Sequence, residues 1–343
     1  MKRRADFALW SRPVCVAPMG GGPTTPDLVA ATADAGAFPF VGGAYLSAAD
    51  LEVSIRSLAV RLQRPFGVNV FVPGRPTRDP AALDRYLAEL GAEAASVGAE
   101  LGHPRWDDDD WFAKIDVLVD AAPAVTSFTF GIPPRAAIDR LRRRGSLVMV
   151  TVTNVTEADA AVSAGADLLC AQGIEAGAHR ATFDDTASDD ELPTLELVTA
   201  LRAHDRVPVV AAGGIATPTE VAAALAAGAV AVQVGTAFLR CDEAGTSTVH
   251  REALADPRFD TTALTRAFTG RRARGLVNGF MRRHPAAPSA FPEIHHATRP
   301  VRAAAARAGD ADRVHLWAGT GYRHARSAPA AAIVDWLVSE LFA

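Results

Sequence analysis

The segment Ala171-Gln172-Gly173-Ile174-Glu175-Ala176-Gly177-Ala178-His179-Arg180 gathers an amide, a carboxylate, an imidazole and a guanidinium around two glycines. Histidine is the side chain whose ordinary pKa allows proton transfer near neutrality, and a neighbouring cation attracts an anionic substrate. A single histidine more often caps a turn or faces solvent. Here the preceding run DLLCA (167–171) reads as a buried strand, and a histidine just past the end of a barrel strand favours function. Glu175 is read as a loop anchor. Two further turns suit an anion: Ala212-Gly213-Gly214-Ile215 and Gln233-Val234-Gly235-Thr236 each end a short apolar run. Glycines let backbone N–H groups approach phosphate closely, a following helix N-terminus adds a favourable dipole, and Thr236 adds a hydroxyl. Either turn alone is compatible with a tight bend. Together, one helix and one strand apart, they read as a phosphate site, for a phosphosugar or the tail of FMN.

Other positions are more ambiguous. Met19-Gly20-Gly21-Gly22 either lets backbone approach a flat ligand or forms a flexible turn before a helix starting at Pro26. Asn69 lies inside the apolar run FGVNVF (66–71), and a buried amide must be hydrogen-bonded. Its partner is either a core group or a ligand heteroatom. Cys170 reads as a small core hydrophobe. The pair His295-His296 lacks carboxylate companions at helical spacing, and no metal site is expected. The acidic run WDDDDW (106–111) reads as a solvated helix start rather than a calcium site.

The elements that must position these groups alternate. Apolar runs at Pro13–Met19, Phe38–Gly42, Phe66–Phe71, Ala124–Phe130, Ser146–Thr151, Asp167–Ala171, Pro208–Ala211 and Ala229–Val234 read as strands, nearly all with helical stretches between them. Eight such units predict a (β/α)8 TIM barrel, with the active site at the C-terminal ends of the strands. An open doubly wound sheet is disfavoured because the glycines after the first strand do not form GxGxxG. The stretch after residue 239 predicts an added C-terminal helical lobe over the barrel mouth (240–316), with helical patches at Thr248–Ala255 and Thr261–Thr269 and a proline-rich loop at Pro285–Pro300. Residues 317–343 are expected to return to the barrel. A net charge of −4 argues against nucleic acid as the main partner, and no apolar run is long enough for a membrane helix. Three dispersed cysteines and no evident leader predict a cytoplasmic protein. With Lys2 and Lys114 the only lysines, Schiff-base chemistry is set aside.

Six segments resemble one family in chain order: APMGGGPTTPDLVAA (17–31), FGVNVF (66–71), AQGIEAGAHR (171–180), PVVAAGGIATPTEVAAALAAGAVAVQVGTAFL (208–239), AFTGRRARGLVNGFM (267–281) and WAGTGYRHAR (317–326). They look like the FMN-dependent nitronate monooxygenases, formerly called 2-nitropropane dioxygenases. The resemblance implies FMN, with Asn69 and Gln172 on the isoalloxazine ring. Gly177 would shape the neighbouring loop, Gly213, Gly214, Gln233, Gly235 and Thr236 would lie around the ribityl phosphate, and Met19, Gly20 and Gly21 would line the flavin. It assigns His179 as the catalytic residue and implies oxidation of an alkyl nitronate, such as propionate 3-nitronate, by oxygen through a flavin semiquinone. Products would be a carbonyl compound and nitrite or nitrate, in a detoxifying role, with Arg180 or another arginine as charge partner. An FMN-dependent NAD(P)H reductase acting on a quinone or enoyl thioester is the alternative. A flavin-free phosphate-binding barrel is a third reading. Two departures stand out: Ala178 replaces the family's second glycine, which disfavours a positive φ, and Thr320 replaces an amide in the tail.

Overall fold

The computed structural model describes residues 9–187, 191–203 and 207–341. Residues 1–8, and the last residues of two stretches that the sequence predicts as helical, Thr194–His204 and Ala330–Phe342, lie outside them. Eight parallel strands close into a barrel: β1 (Val14–Val16), β2 (Phe38–Gly42), β3 (Gly67–Phe71), β4 (Val125–Thr129), β5 (Leu147–Val152), β6 (Leu168–Gln172) and, after a short strand β7 (Ala178–His179) that leaves the barrel, β8 (Val209–Ala212) and β9 (Ala231–Val234). The outer helices follow: α1 (Pro26–Asp34), α2 (Ala48–Arg61), α3 (Pro80–Ser96), α4 (Trp111–Ala121), α5 (Arg135–Arg143), α6 (Val155–Ala164), α7 (Thr194–Arg202) and α8 (Pro218–Ala226). This is the (β/α)8 architecture anticipated.

Strand side chains alternate between two faces, so each strand feeds two cores. Val14, Val16, Val68, Val70, Val148 and Val150 pack outward against the helices. Cys15, Phe38, Phe40, Met149, Cys170 and Ala212 fill the barrel interior. Gly67 makes room there, since a Cβ would lie 2.3 Å from the Phe40 ring. Register then fixes the upper interior layer. Gln172 pairs with Ala212 and Ala212 with Gln233, while Asn69 pairs with Ser127 and Ser127 with Met149. Asn69, Gln172 and Gln233 therefore share the interior parity and face the C-terminal mouth.

Beyond the barrel come α9 (Thr248–Ala253), β10 (Thr262–Thr265), β11 (Ala273–Leu276), α10 (Gly279–Arg283), α11 (Glu293–Arg307) and α12 (Ala330–Leu337). The lobe carries helices, and two local expectations are corrected. The patch at 261–269 is not helical: TALT (262–265) forms β10, paired antiparallel with β11, which also pairs with β7. Its β-branched threonines suit a strand, but the partner is a distant segment that local periodicity cannot reveal. The proline-rich stretch is not all loop either, because α11 runs through Pro300. A helix-interior proline removes one hydrogen bond and costs about 3 kcal/mol. Gly102 packs against the carbonyl of His296, four residues before the proline, and its N–H donates to the Ala297 carbonyl at 2.9 Å. The aspartate run is a clamp. Asp109 Oδ1 and Asp110 Oδ2 accept from the N–H groups of Tyr45 and Ala48, each at 3.1 Å, and Asp109 pairs with the buried Lys114 at 2.7 Å.

Candidate active site

His179 is not carried by a barrel strand. The chain leaves β6 at Gln172, turns, and returns as β7, where His179 pairs with Ala273 of the lobe hairpin. Gln172 braces this return: Nε2 donates to the His179 carbonyl at 3.0 Å and Oε1 accepts from the Ala181 N–H at 2.8 Å. One N–H and one lone pair of that amide remain for a ligand. Glu175 anchors the turn, as expected, by accepting from the N–H and hydroxyl of Thr194. Ala178 sits at φ 61, so the backbone keeps the left-handed conformation despite the Cβ. Pairing of β7 with β11 holds the strained residue, at a cost of about 1–2 kcal/mol.

The imidazole stands among aromatic rings. Its centroid is 5.4 Å from Phe291, 5.6 Å from Phe130, 6.0 Å from Trp317 and 6.2 Å from Phe71. His179 Nε2 lies 3.0 Å from Thr269 Oγ1. Burial, and next the nearby Arg271 guanidinium, push its pKa down to about 3, so the ring is neutral in ordinary buffers.

Arg180 does not take the expected place of charge partner. It is 2% exposed and donates to the carbonyls of Gln172 and Thr153, tying the ends of β6 and β5 together. The cations near His179 are Arg271 and Arg302, neither foreseen. Arg271 lies 3.8 Å over the Phe130 ring and donates to the carbonyls of Arg180 and Thr182. Arg302 donates to Thr298 Oγ1 and the His295 carbonyl and lies within hydrogen-bonding distance of the His315 ring. Burial lowers both pKa values to about 10, leaving both charged at neutral pH. Neither has a carboxylate at ion-pair distance among the described residues. Tyr45 stacks on His295 at 4.3 Å. These rings and Arg271 border a cavity of about 920 Å³ between the β2–β4 side of the mouth and the lobe. Local periodicity could not have found Arg271, Thr269 or Phe291, because they reach His179 only through the hairpin and α11.

The glycine turns lie at the β8–β9 side, outside that cavity's lining. Gly213 (φ 117) and Gly214 (φ 70) hold backbone that other residues rarely adopt, and a Cβ on either would come within 2.9 Å of Thr194 or Glu175. The expected helix dipole is not offered by α8. Its N-terminus is closed by a capping box, with Glu220 Oε2 accepting from the N–H groups of Ala216 and Thr217. After β9, Thr236 opens only a single 3-10 turn. The tail completes this region. Gly319 N–H donates to Thr236 Oγ1 at 3.0 Å, Thr320 N–H donates to the Glu175 carbonyl, and a Cβ on Gly177 would lie 2.5 Å from Gly319 N. Met19 closes its own loop through Thr24 and reaches toward Gly235, while Gly20 and Gly21 are exposed at the mouth.

Two acceptors bear on whether a flavin suits this mouth. Gln233 Oε1 is buried without a partner, its Nε2 facing Cys170 Sγ at 3.5 Å. Asn69 Nδ2 donates to Ser127 and Thr129, but no protein donor among the described residues reaches its Oδ1. A buried acceptor lacking a donor, such as Gln233 Oε1, is costly, and Asn69 Oδ1 is open to a ligand from the mouth. Ribityl hydroxyls and a flavin ring N–H are such donors, and the glycine turns suit its phosphate, so the residues fit the group.

A closed parallel barrel with an imidazole, cations and unpartnered acceptors at its C-terminal mouth defines an enzyme of the (β/α)8 class. The profile of the family described as "Nitronate monooxygenase" matches residues 3–340, and the chain belongs to that family, whose members are generally flavin-dependent oxidoreductases. A nitronate monooxygenase from Pseudomonas aeruginosa is 40% identical over 342 residues, covering 96% of each chain. One from Paraburkholderia phytofirmans is 36% identical, over 96% of this chain and 92% of that protein. Among solved structures, nitroalkane oxidase from Streptomyces ansochromogenes superposes with a TM-score of 0.94 at 48% identity, covering 97% of this chain and 96% of that one. FabK from Thermotoga maritima matches at a TM-score of 0.73 and 25% identity, over 97% and 93%. No helix among the described residues is long and apolar enough to cross a membrane.

Proposed function

We propose that this chain is an FMN-dependent nitronate monooxygenase that oxidises alkyl nitronates, propionate 3-nitronate among them, with oxygen to a carbonyl compound plus nitrite or nitrate. The observation that carries the reading is the pair of buried guanidinium groups, Arg271 and Arg302, near a neutral His179 and a wall of phenylalanines. Arg271 borders the cavity and Arg302 lies outside its lining; two guanidinium groups near His179 without a carboxylate at ion-pair distance among the described residues favour an anion there, and the aromatic wall of the cavity favours an alkyl chain. A nitronate is both.

In this reading residues 1–239 hold the cofactor, the lobe of 240–316 covers the substrate, and 317–343 returns to the cofactor's phosphate end. Gly213, Gly214, Gly235 and Thr236 would hold the phosphate. Asn69, Gln172 and Gln233 would meet the polar edges of the ring and ribityl chain, with Met19, Gly20, Gly21 and Gly177 along it. FMN, when bound there, would supply the redox chemistry between the nitronate and oxygen. The chain's own part is to orient the nitronate with Arg271, exclude water with Phe71, Phe130 and Phe291, and keep the His179 imidazole uncharged. A substrate arriving as a neutral nitroalkane would also need His179 to take its α-proton.

The test is oxygen uptake by the flavin-loaded protein given propionate 3-nitronate, with NAD(P)H omitted. Rapid uptake is expected; none from a yellow protein overturns the reading. A second reading is an FMN-dependent NAD(P)H reductase acting on a quinone or enoyl thioester. Rapid bleaching of the flavin by NAD(P)H without any nitronate turnover would establish it.

A further inference from the structure

His179 has two ring nitrogens, and the structure treats them differently. Nε2 lies 3.0 Å from Thr269 Oγ1, and the same Oγ1 lies 3.2 Å from the Arg271 carbonyl. A carbonyl only accepts, so that second contact requires the threonine proton. With the proton committed there, the hydroxyl meets the imidazole as an acceptor, and Nε2 must carry hydrogen. The opposite tautomer would turn the hydroxyl proton toward Nε2 and take it from the carbonyl. Thr269 is 2% exposed, so no solvent replaces a lost partner. Nδ1, by contrast, has no partner among the described residues and is not sealed from solvent.

We infer that Thr269 is a positioning residue: through the relay Arg271 carbonyl–Thr269 hydroxyl–Nε2–H it fixes the tautomer of His179 and makes Nδ1 the basic atom of the site. This deepens the reading above, because it assigns the atom that would remove a proton. With a neutral nitroalkane the C–H bond beside the nitro group breaks. Its electron pair stays with the carbon to form the nitronate, and the proton goes to Nδ1. The imidazolium so formed keeps Nε2–H on Thr269 Oγ1 and later releases the Nδ1 proton to water. The guanidinium groups of Arg271 and Arg302 oppose that positive charge but favour the nitronate formed with it, so the step is driven by making the anion. A chain lacking the relay still binds a preformed nitronate, which needs no proton removed.

The relay predicts a substrate-selective defect in Thr269→Val. The flavin-loaded wild type, Thr269→Val and Thr269→Ser are each assayed with nitroethane and with preformed ethyl nitronate. The ratio of nitroethane to nitronate turnover should fall at least about tenfold in Thr269→Val and return in Thr269→Ser, which keeps the hydroxyl. Nitrogen-15 NMR of histidine-labelled protein should show His179 with Nε2 protonated in wild type and Thr269→Ser, and mixed tautomers in Thr269→Val. Equal loss on both substrates would mean a merely structural threonine and would overturn the inference. So would an Nδ1–H signal in the wild type. If neither substrate is oxidised by the wild type, the proposed activity fails, while the tautomer assignment still stands or falls by the NMR spectrum.

Discussion

At the residue scale, His179 illustrates how an ordinary side chain acquires a fixed state. Burial and the Arg271 charge hold its pKa at about 3, so it does not titrate across the neutral range. Replacement by Asn keeps a polar group of similar reach but no base. We expect His179→Asn to retain flavin, read by absorbance, and to lose turnover of neutral nitroalkanes by about a hundredfold or more. Undiminished turnover would remove His179 from the chemistry. Ala178, beside it, is held left-handed at φ 61. Glycine relieves that strain but loses more entropy on folding, so Ala178→Gly should stabilise by only about 0.5–1 kcal/mol, seen as a raised melting temperature. A fall would show that the Cβ makes contacts worth more than the strain.

At the scale of elements, the site depends on the tail lying between two glycine turns. Gly319 is buried, and a Cβ there would approach the Glu175 carbonyl at 2.8 Å and Gly177 N at 3.0 Å. These are backbone atoms, which cannot yield as a flexible side chain would. Gly319→Ala should therefore push the tail off Thr236 and weaken FMN binding, measured by fluorescence titration of the apoprotein. Gly74, where an added Cβ meets nothing within 4 Å, provides the control: Gly74→Ala should leave FMN affinity unchanged.

For the whole molecule, lobe and barrel are joined by buried charge and buried imidazole. Glu93 of α3 binds Arg283, His284 and Arg313 of the lobe while itself 6% exposed. Because the arginines are partly exposed, we expect Glu93→Ala to cost about 2–3 kcal/mol rather than the full penalty of a sealed ion pair, measured by denaturant unfolding. His179 and His250 titrate near 3 and 4 in the folded chain, and burial also holds His295 and His315 well below 6.5. Unfolded histidine titrates near 6.5, so below that pH the unfolded chain binds protons the folded chain refuses. Stability should be level above about pH 6.5 and fall as pH drops toward 4, by up to ~1.4 kcal/mol per unit for each buried ring and less for the half-buried His179 and His315. Thermal melts across that range check it, and a profile flat down to about pH 5 would refute the buried-neutral state of these histidines.

The sequence by itself determined the barrel, because continuous β-branched runs separated by helical stretches bury themselves in very few ways. It determined the glycine turns too, since Gly213 and Gly214 occupy backbone conformations that other residues rarely adopt, and it marked His179. It misread β10 and the first half of α11, where a strand's partner and a proline's compensating contact come from residues distant in the chain. Arg180, adjacent to His179, looked like its charge partner. In the fold successive strand residues face opposite ways, so Arg180 turns toward β5 and β6 while Arg271, ninety-two positions beyond His179, stands near the ring. Which cation and which hydroxyl surround the imidazole was decided only by tertiary structure, because the hairpin pairing of β7 with β11 is a non-local contact that local spacing does not encode.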